Sequence, residues 1–371
     1  MDYRVCTRCI MDTTDPDITF DKQGVCSNCK RFDEVYFKRI IPVEERDQKL
    51  RELINEIKKK GKGKKYDCII GVSGGVDSTY IAYLVKKWGL RPLAVHFDNG
   101  WNSELAVSNI EKTLQNLDID LYTHVVDWDE FKDIQLSFLK ASTPDAEIPT
   151  DHGIIALLFK LASKYNIKHI LNGHNYATEA TLPLKWGYGY YDSKYIKDVH
   201  GKFGSKKIKT LPMMGLFKLF WYTQIRKIKM VSPLNLVDYN KETAMKQIQD
   251  ELGWVYYGGK HYESIYTRFF QAYILPRKFN IDKRKAHLST LINSNQINRE
   301  KALAEMSLPI FPADKLEEDR EYVIKKLDIS EDEFNNLMEL PTKDFTSYKT
   351  HYDLLEKLKG YKKYLDFTGT K

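Results

Sequence analysis

Cysteine is scarce in this chain and placed almost wholly at one end. Five cysteines occur in 371 residues, four of them before residue 30, and none follows Cys68. A triad-type glutaminase needs a nucleophilic cysteine backed by a histidine. An N-terminal-nucleophile type needs a cysteine exposed at position 1 or 2, whereas this chain begins Met1-Asp2. Cys68 sits in the apolar run Cys-Ile-Ile and reads as a core residue, so the expectation is a chain without a glutaminase of its own. Long apolar runs are missing too: none approaches the ~20 residues of a membrane span. The first residues form no apolar signal region. The expectation is a cytoplasmic protein with no membrane association. Neither charge dominates. Lys and Arg total 58 against 51 Asp and Glu, a net +7 that suits a polyanionic ligand without deciding between nucleotide and nucleic acid. The densest basic run, six lysines from Lys58 to Lys65 broken by Gly61 and Gly63, reads as a solvated linker.

What is present begins with Cys6-x-x-Cys9 and Cys26-x-x-Cys29, sixteen residues apart. That spacing matches a four-thiolate Zn²⁺ site, and four thiolates leave no open position, so the metal is expected to be structural. Paired disulfides are the competing account, disfavoured by a reducing compartment, and an iron–sulfur cluster would use the same four ligands.

From Tyr66 onward strands and helices alternate. Strands are predicted at 66–72, 91–97, 121–126 and 169–171. Helices are predicted from Thr79 to Trp88, after a Ser103 cap, and near 153–165. This alternation predicts an α/β fold with a doubly wound parallel sheet. In such sheets ligands sit beyond the carboxyl ends of the strands. Three polar strand ends therefore should converge: residues 73–78, 98–100 and 172–175. The aromatic-glycine loop 186–191 reads as packed. From Tyr239 the pattern turns helical, with Asn240 as one cap and Ser330-x-x-Glu333 as a capping box.

Residues 71–78 read Gly-Val-Ser-Gly-Gly-Val-Asp-Ser, a glycine-rich turn between a predicted strand and helix. Such a turn aims backbone N–H groups and a positive helix end at one point, as a phosphate site requires. No Gly-Lys-Ser/Thr follows, so it is not a Walker loop. Ser73-Gly74-Gly75-Val76-Asp77-Ser78 instead resembles the loop of the PP-loop ATP pyrophosphatases, adenine nucleotide alpha hydrolase-like proteins that split ATP into AMP and pyrophosphate. The resemblance implies ATP as cosubstrate, bound through Ser73, Gly74, Gly75, Asp77 and Ser78. Asp98, Gly173 and His174 are expected to join them from the other strand ends. A carboxylate beside a triphosphate holds Mg²⁺, which assigns Asp77 as its ligand and as a catalytic residue.

Residues 258–264 (Gly-Gly-Lys-His-Tyr-Glu-Ser), Thr267-Arg268-Phe269, 275–279, 281–284, 286–289 and 147–152 resemble the N-acetyl sugar amidotransferase family. The likeness runs in order along nearly the whole chain. It implies ATP-dependent conversion of a sugar N-acetyl group to an acetamidino group, in surface-polysaccharide or nonulosonic-acid synthesis. It also implies a separate glutaminase subunit and a cyclase-like barrel subunit as ammonia source. Lys260, His261 and Glu263 are the expected catalytic residues beside Asp77. Glu147, Asp151, His152, Lys260 and Arg268 are the expected acceptor ligands, with Asp151 placed just before a helix start. The domain expectation is a zinc module at 1–35, a helical linker at 36–65, a PP-loop domain at 66–238 and a helical C-terminal domain at 239–371. The rival reading is a tRNA-thiolating PP-loop enzyme. Such enzymes generally carry sulfur on cysteines of the PP-loop domain, and the absence of cysteine after Cys68 speaks against it. Nucleic acid is therefore not the expected partner.

Overall fold

The computed structural model describes residues 2–39, 42–259 and 262–359. Five strands form one sheet: β1 Cys68–Gly71, β2 Pro92–Asp98, β3 Asp120–Val125, β4 His169–Leu171 and β5 Lys229–Val231. Their order is β3-β2-β1-β4-β5 and every pairing is parallel. The α/β, doubly wound sheet expected from the alternation is therefore the fold. Parallel sheets are covered on both faces, so their strands are apolar throughout. Here Cys68, Ile70 and Ala94 point into one core with the helices Val76–Lys87, Glu104–Asn116 and Lys241–Leu252. Ile69, Leu93 and Val95 point into the other, with the helices Trp128–Ala141 and Ile148–Lys164.

Two elements differ from the sequence expectation. The helix placed near 153 begins at Ile148, because Pro149 occupies its first turn, where a missing N–H costs nothing. Asp151 thus lies inside the first turn and caps nothing. The edge strand β5 has only three residues, too few to show a period. Among the described residues no strand follows Val231, and the remainder is mostly helical, including a wide π turn at Phe270–Ile274. No helix among the described residues is long and apolar enough to cross a membrane.

Candidate active site

β1 ends at Gly71 and the helix Val76–Lys87 begins five residues later. The loop between them can close this tightly because Gly74 takes φ +81°, a region L side chains rarely enter. A Cβ at Gly74 would stand 2.5 Å from the Ala106 carbonyl oxygen. Trp254 clamps the loop from outside, its indole N–H donating to the Gly74 carbonyl at 2.8 Å. Within the loop, the Ser73 N–H donates to Ser78 Oγ at 3.3 Å and the Gly75 N–H donates to Ser73 Oγ at 3.3 Å. Ser78 Oγ in turn donates to the Gly75 carbonyl at 3.1 Å. Both serines therefore brace the turn that presents the helix N-terminus.

The strand order reverses between β1 and β4, and at such a point two loops diverge and leave a crevice. Gly173 sets its width, since a Cβ there would meet the Asp77 carbonyl carbon at 2.8 Å and Asp77 Cβ at 2.9 Å. A third wall comes from far along the sequence. The Ser103 N–H donates to the Glu263 carbonyl and the Ile265 N–H to the Trp101 carbonyl, both at 2.9 Å. Asn109 holds Val255 through paired bonds of 2.8 and 2.9 Å. These contacts stitch Val255, Glu263 and Ile265 onto the loop and helix that follow β2. The result is a cleft of ≈ 180 Å³ lined by Ser73, Asp77, Ser78, Gly173, Glu179 and Glu263 among others.

Its charged groups are closely held. The Tyr239 hydroxyl donates to Asp77 Oδ1. Burial, then the Asp77 charge, pushes the Tyr239 hydroxyl up. Burial and Glu263 do the same to Tyr257. Both phenols thus stay protonated donors. His174 Nε2 stands 4.0 Å from Glu179. Tyr239, Tyr256, Tyr257, Glu179, Lys241 and Trp254 were not among the expected site residues. The only sequence signals for them are an acid one helical turn beyond 172–175 and the aromatic residues just before Gly258.

The other expected residues go elsewhere. Asp98 closes its own loop, accepting from Gly100 N–H at 2.8 Å and Asn102 Nδ2 at 3.3 Å, and does not line the cleft. His152 is fully buried; Nδ1 meets the Tyr190 carbonyl at 3.0 Å and Nε2 accepts from Met214 N–H at 3.0 Å. With both nitrogens engaged and burial holding its pKa down, His152 is a packing residue and not an acceptor ligand. Arg268 is also withdrawn, forked onto Asp319 at 2.6 and 2.7 Å with its guanidinium 4.9 Å from the Phe311 ring. Lys260 and His261 lie outside the described residues. Glu147 and Asp151 come together, but away from the cleft lining.

Cys6, Cys9, Cys26 and Cys29 are fully buried, with ligand atoms all within 4.8 Å of one another. Sγ–Sγ separations of 3.9 Å (Cys6–Cys29) and 3.7 Å (Cys9–Cys26) are far beyond the ~2.05 Å of a disulfide. A tetrahedron with Zn–S bonds of ~2.3 Å has edges of about 3.8 Å. Backbone N–H groups of Arg8, Cys9 and Cys26 point at Cys6 Sγ at 3.3–3.4 Å, as around a thiolate. The donor set fits Zn²⁺. Cys68 is buried in β1 and burial pushes its thiol up, the opposite of nucleophile activation.

Residues 263–359 match the family described as LPS biosynthesis protein WbpG-like, C-terminal domain. The matched residues start at Glu263, which lines the cleft, so the WbpG-like segment meets the Ser73–Ser78 loop directly. An uncharacterized protein of Methanocaldococcus jannaschii is 24% identical over 328 residues, covering 86% of this chain and 99% of that protein. A tRNA-specific 2-thiouridylase of Fusobacterium nucleatum is 30% identical over 182 residues, 47% of each chain. Among solved structures, an NH₃-dependent NAD synthetase from Campylobacter jejuni shares 14% identity and a TM-score of 0.34, covering 72% of this chain and 98% of that one.

Proposed function

We propose that this protein is an ATP-dependent amidotransferase that converts the N-acetyl group of a sugar into an acetamidino group, in the synthesis of surface-polysaccharide sugars. One observation carries the reading: a phosphate-type strand–loop–helix and the first residue of the WbpG-like segment line one cleft. An amide carbonyl resists ammonia because its oxygen leaves poorly. In the proposed reaction that oxygen attacks the α-phosphorus of ATP and the bond to pyrophosphate breaks. Ammonia then adds to the activated carbon, and AMP departs carrying the former carbonyl oxygen. The N–H groups at the start of Val76–Lys87 would stabilise the departing pyrophosphate charge. Asp77 would hold Mg²⁺, which would supply further neutralisation there. Tyr257 and Tyr239 would donate hydrogen bonds, and Glu263 would accept a proton from the incoming ammonium. Ammonia would come from a separate glutaminase subunit, with a cyclase-like barrel subunit as a further partner.

Purified protein given ATP, Mg²⁺, ammonium and an acetamido sugar nucleotide or a nonulosonic acid should release AMP and pyrophosphate. Asp77→Ala should abolish this while leaving one zinc per chain. ADP release, or turnover surviving in the variant, overturns the reading. The local match to a 2-thiouridylase favours a second reading, tRNA thiolation; AMP release dependent on tRNA would establish it. The inert setting of Cys68, the last cysteine in the chain, weighs against it.

A further inference from the structure

Outside the lining of the ATP-type cleft, two parts of the chain build a second polar recess. The sheet domain supplies Asp145, Glu147 and Asp151 from the start of Ile148–Lys164, with Tyr190 from the loop packed on it. The WbpG-like segment supplies Tyr266, Gln271 and Lys283. Gln271 Nε2 donates to Glu147 at 3.3 Å, and Lys283 Nζ stands 4.0 Å from the same carboxylate. Gln271 rides on the π turn Phe270–Ile274, a widened turn of the kind that recurs at functional sites.

Several features mark this as a place for a ligand and not a closed ion-pair network. Tyr266 is 2% exposed, and its hydroxyl has no hydrogen-bond partner. Burial and then the charge of Glu147 push this hydroxyl up, with Gln135, whose Oε1 accepts from the Trp101 indole at 2.6 Å, beside it. The Asp151 residue is partly exposed, and its side chain makes no hydrogen bond or ion pair among the described residues. Gly187 lets the backbone approach closely, since a Cβ there would stand only 2.8 Å from Asp145 Oδ2 and 3.0 Å from the Tyr190 hydroxyl. Glu179 lines the cleft, and its charge reaches both Tyr239 there and Tyr190 here.

We propose that Asp145, Glu147, Asp151, Tyr190, Tyr266 and Lys283 form the acceptor pocket and bind the ring hydroxyls of the sugar, a reading that rests on the amidation proposed above. Three carboxyl groups, two of them pushed toward the protonated form by burial, beside one ammonium suit uncharged ring hydroxyls better than a diphosphate. An unpartnered hydroxyl and an unpaired carboxylate each have room for one sugar hydroxyl.

Tyr266→Phe removes an oxygen that bonds nothing in the free protein, so the fold should tolerate it; Asp151→Asn keeps the shape of its side chain. The probes are UDP-N-acetylglucosamine and N-acetylneuraminic acid, tested by calorimetric binding and by AMP release with ATP and ammonium. The wild type should bind at least one probe. Each variant should weaken that binding, and raise its KM, about tenfold, with the KM for ATP and ammonium unchanged. No binding by the wild type, or unchanged binding in both variants, overturns the pocket. A rise in the ammonium KM alone also overturns it, assigning the carboxylates to ammonium instead. Binding that weakens in the variants without any AMP release would retain the pocket and reject the amidation reading.

Discussion

Asp145 accepts the Glu147 N–H at 3.1 Å, but it is 5% exposed and shares its surroundings with Glu147. Burial, only partly offset by Lys283, pushes its carboxyl up to about 7. From the ordinary carboxylate range up to about pH 7, the folded protein keeps a proton that the unfolded chain has released. Stability therefore falls as pH rises through this window and stays low above it. Asp145→Asn retains the acceptor oxygen and removes the charge. It should be more stable than the wild type at pH 8, by about 2–4 kcal/mol, with the gap closing toward pH 4. A melting-temperature difference independent of pH would exclude this account. Residue types alone could not show such roles. The sequence marks Arg268 and His152 as ionisable, but Asp319, Tyr190 and Met214, which engage them, are distant in sequence.

At the scale of elements, the cleft depends on how closely two loops approach. Gly173→Ala would force the β4 exit loop away from Asp77, because the atoms it meets are largely backbone of a helix start. The expected outcome is a rise of about tenfold or more in the ATP KM, with about 1–3 kcal/mol lost in denaturant unfolding. Gly201→Ala has nothing within 4 Å and lies in the helix Ser193–Phe203, so it should stabilise by about 0.5–1 kcal/mol with the ATP KM unaltered. Equal effects at both positions would remove Gly173 from the site. Four strands and the glycine-rich turn were legible because apolar runs flanked by turn residues state them locally. The strand Lys229–Val231 and the helix Trp128–Ala141 were not read from the sequence. The strand is too short for a period, and its place comes from pairing with β4.

Across the whole molecule, the cysteine module is docked on the helical C-terminal part. Arg299 donates to the carbonyls of Cys9 and Cys6 at 3.1 and 3.2 Å, and Ile10 N–H donates to Ser289 Oγ at 3.2 Å. Lys285 meets Asp12 at 2.5 Å and Cys29 Sγ lies 3.4 Å from Asn293 Oδ1. Metal binding at one end of the chain should therefore support helices near the other. Removing zinc by chelation, or Cys26→Ser, should lower the melting temperature and speed amide exchange in Lys283–Asn293 while β1 and β2 stay protected. Unchanged exchange in that helix would mean the docking carries no stability.

The sequence by itself determined the α/β alternation, the glycine-rich turn with Asp77, and the four-cysteine cluster. Each is written in neighbouring residues, as period, turn chemistry or ligand spacing. Only the tertiary structure decided that Glu263 joins Asp77 in one cleft, that Asp98, His152 and Arg268 serve packing and loop closure, and that Tyr266 and Lys283 face Asp145 and Glu147. The contacts of Glu263, Tyr266 and Lys283 join segments over one hundred residues apart, fixed by strand order and docking, which no local pattern encodes. His152 and Arg268 meet partners at intermediate range, and Asp98 bonds within its own loop.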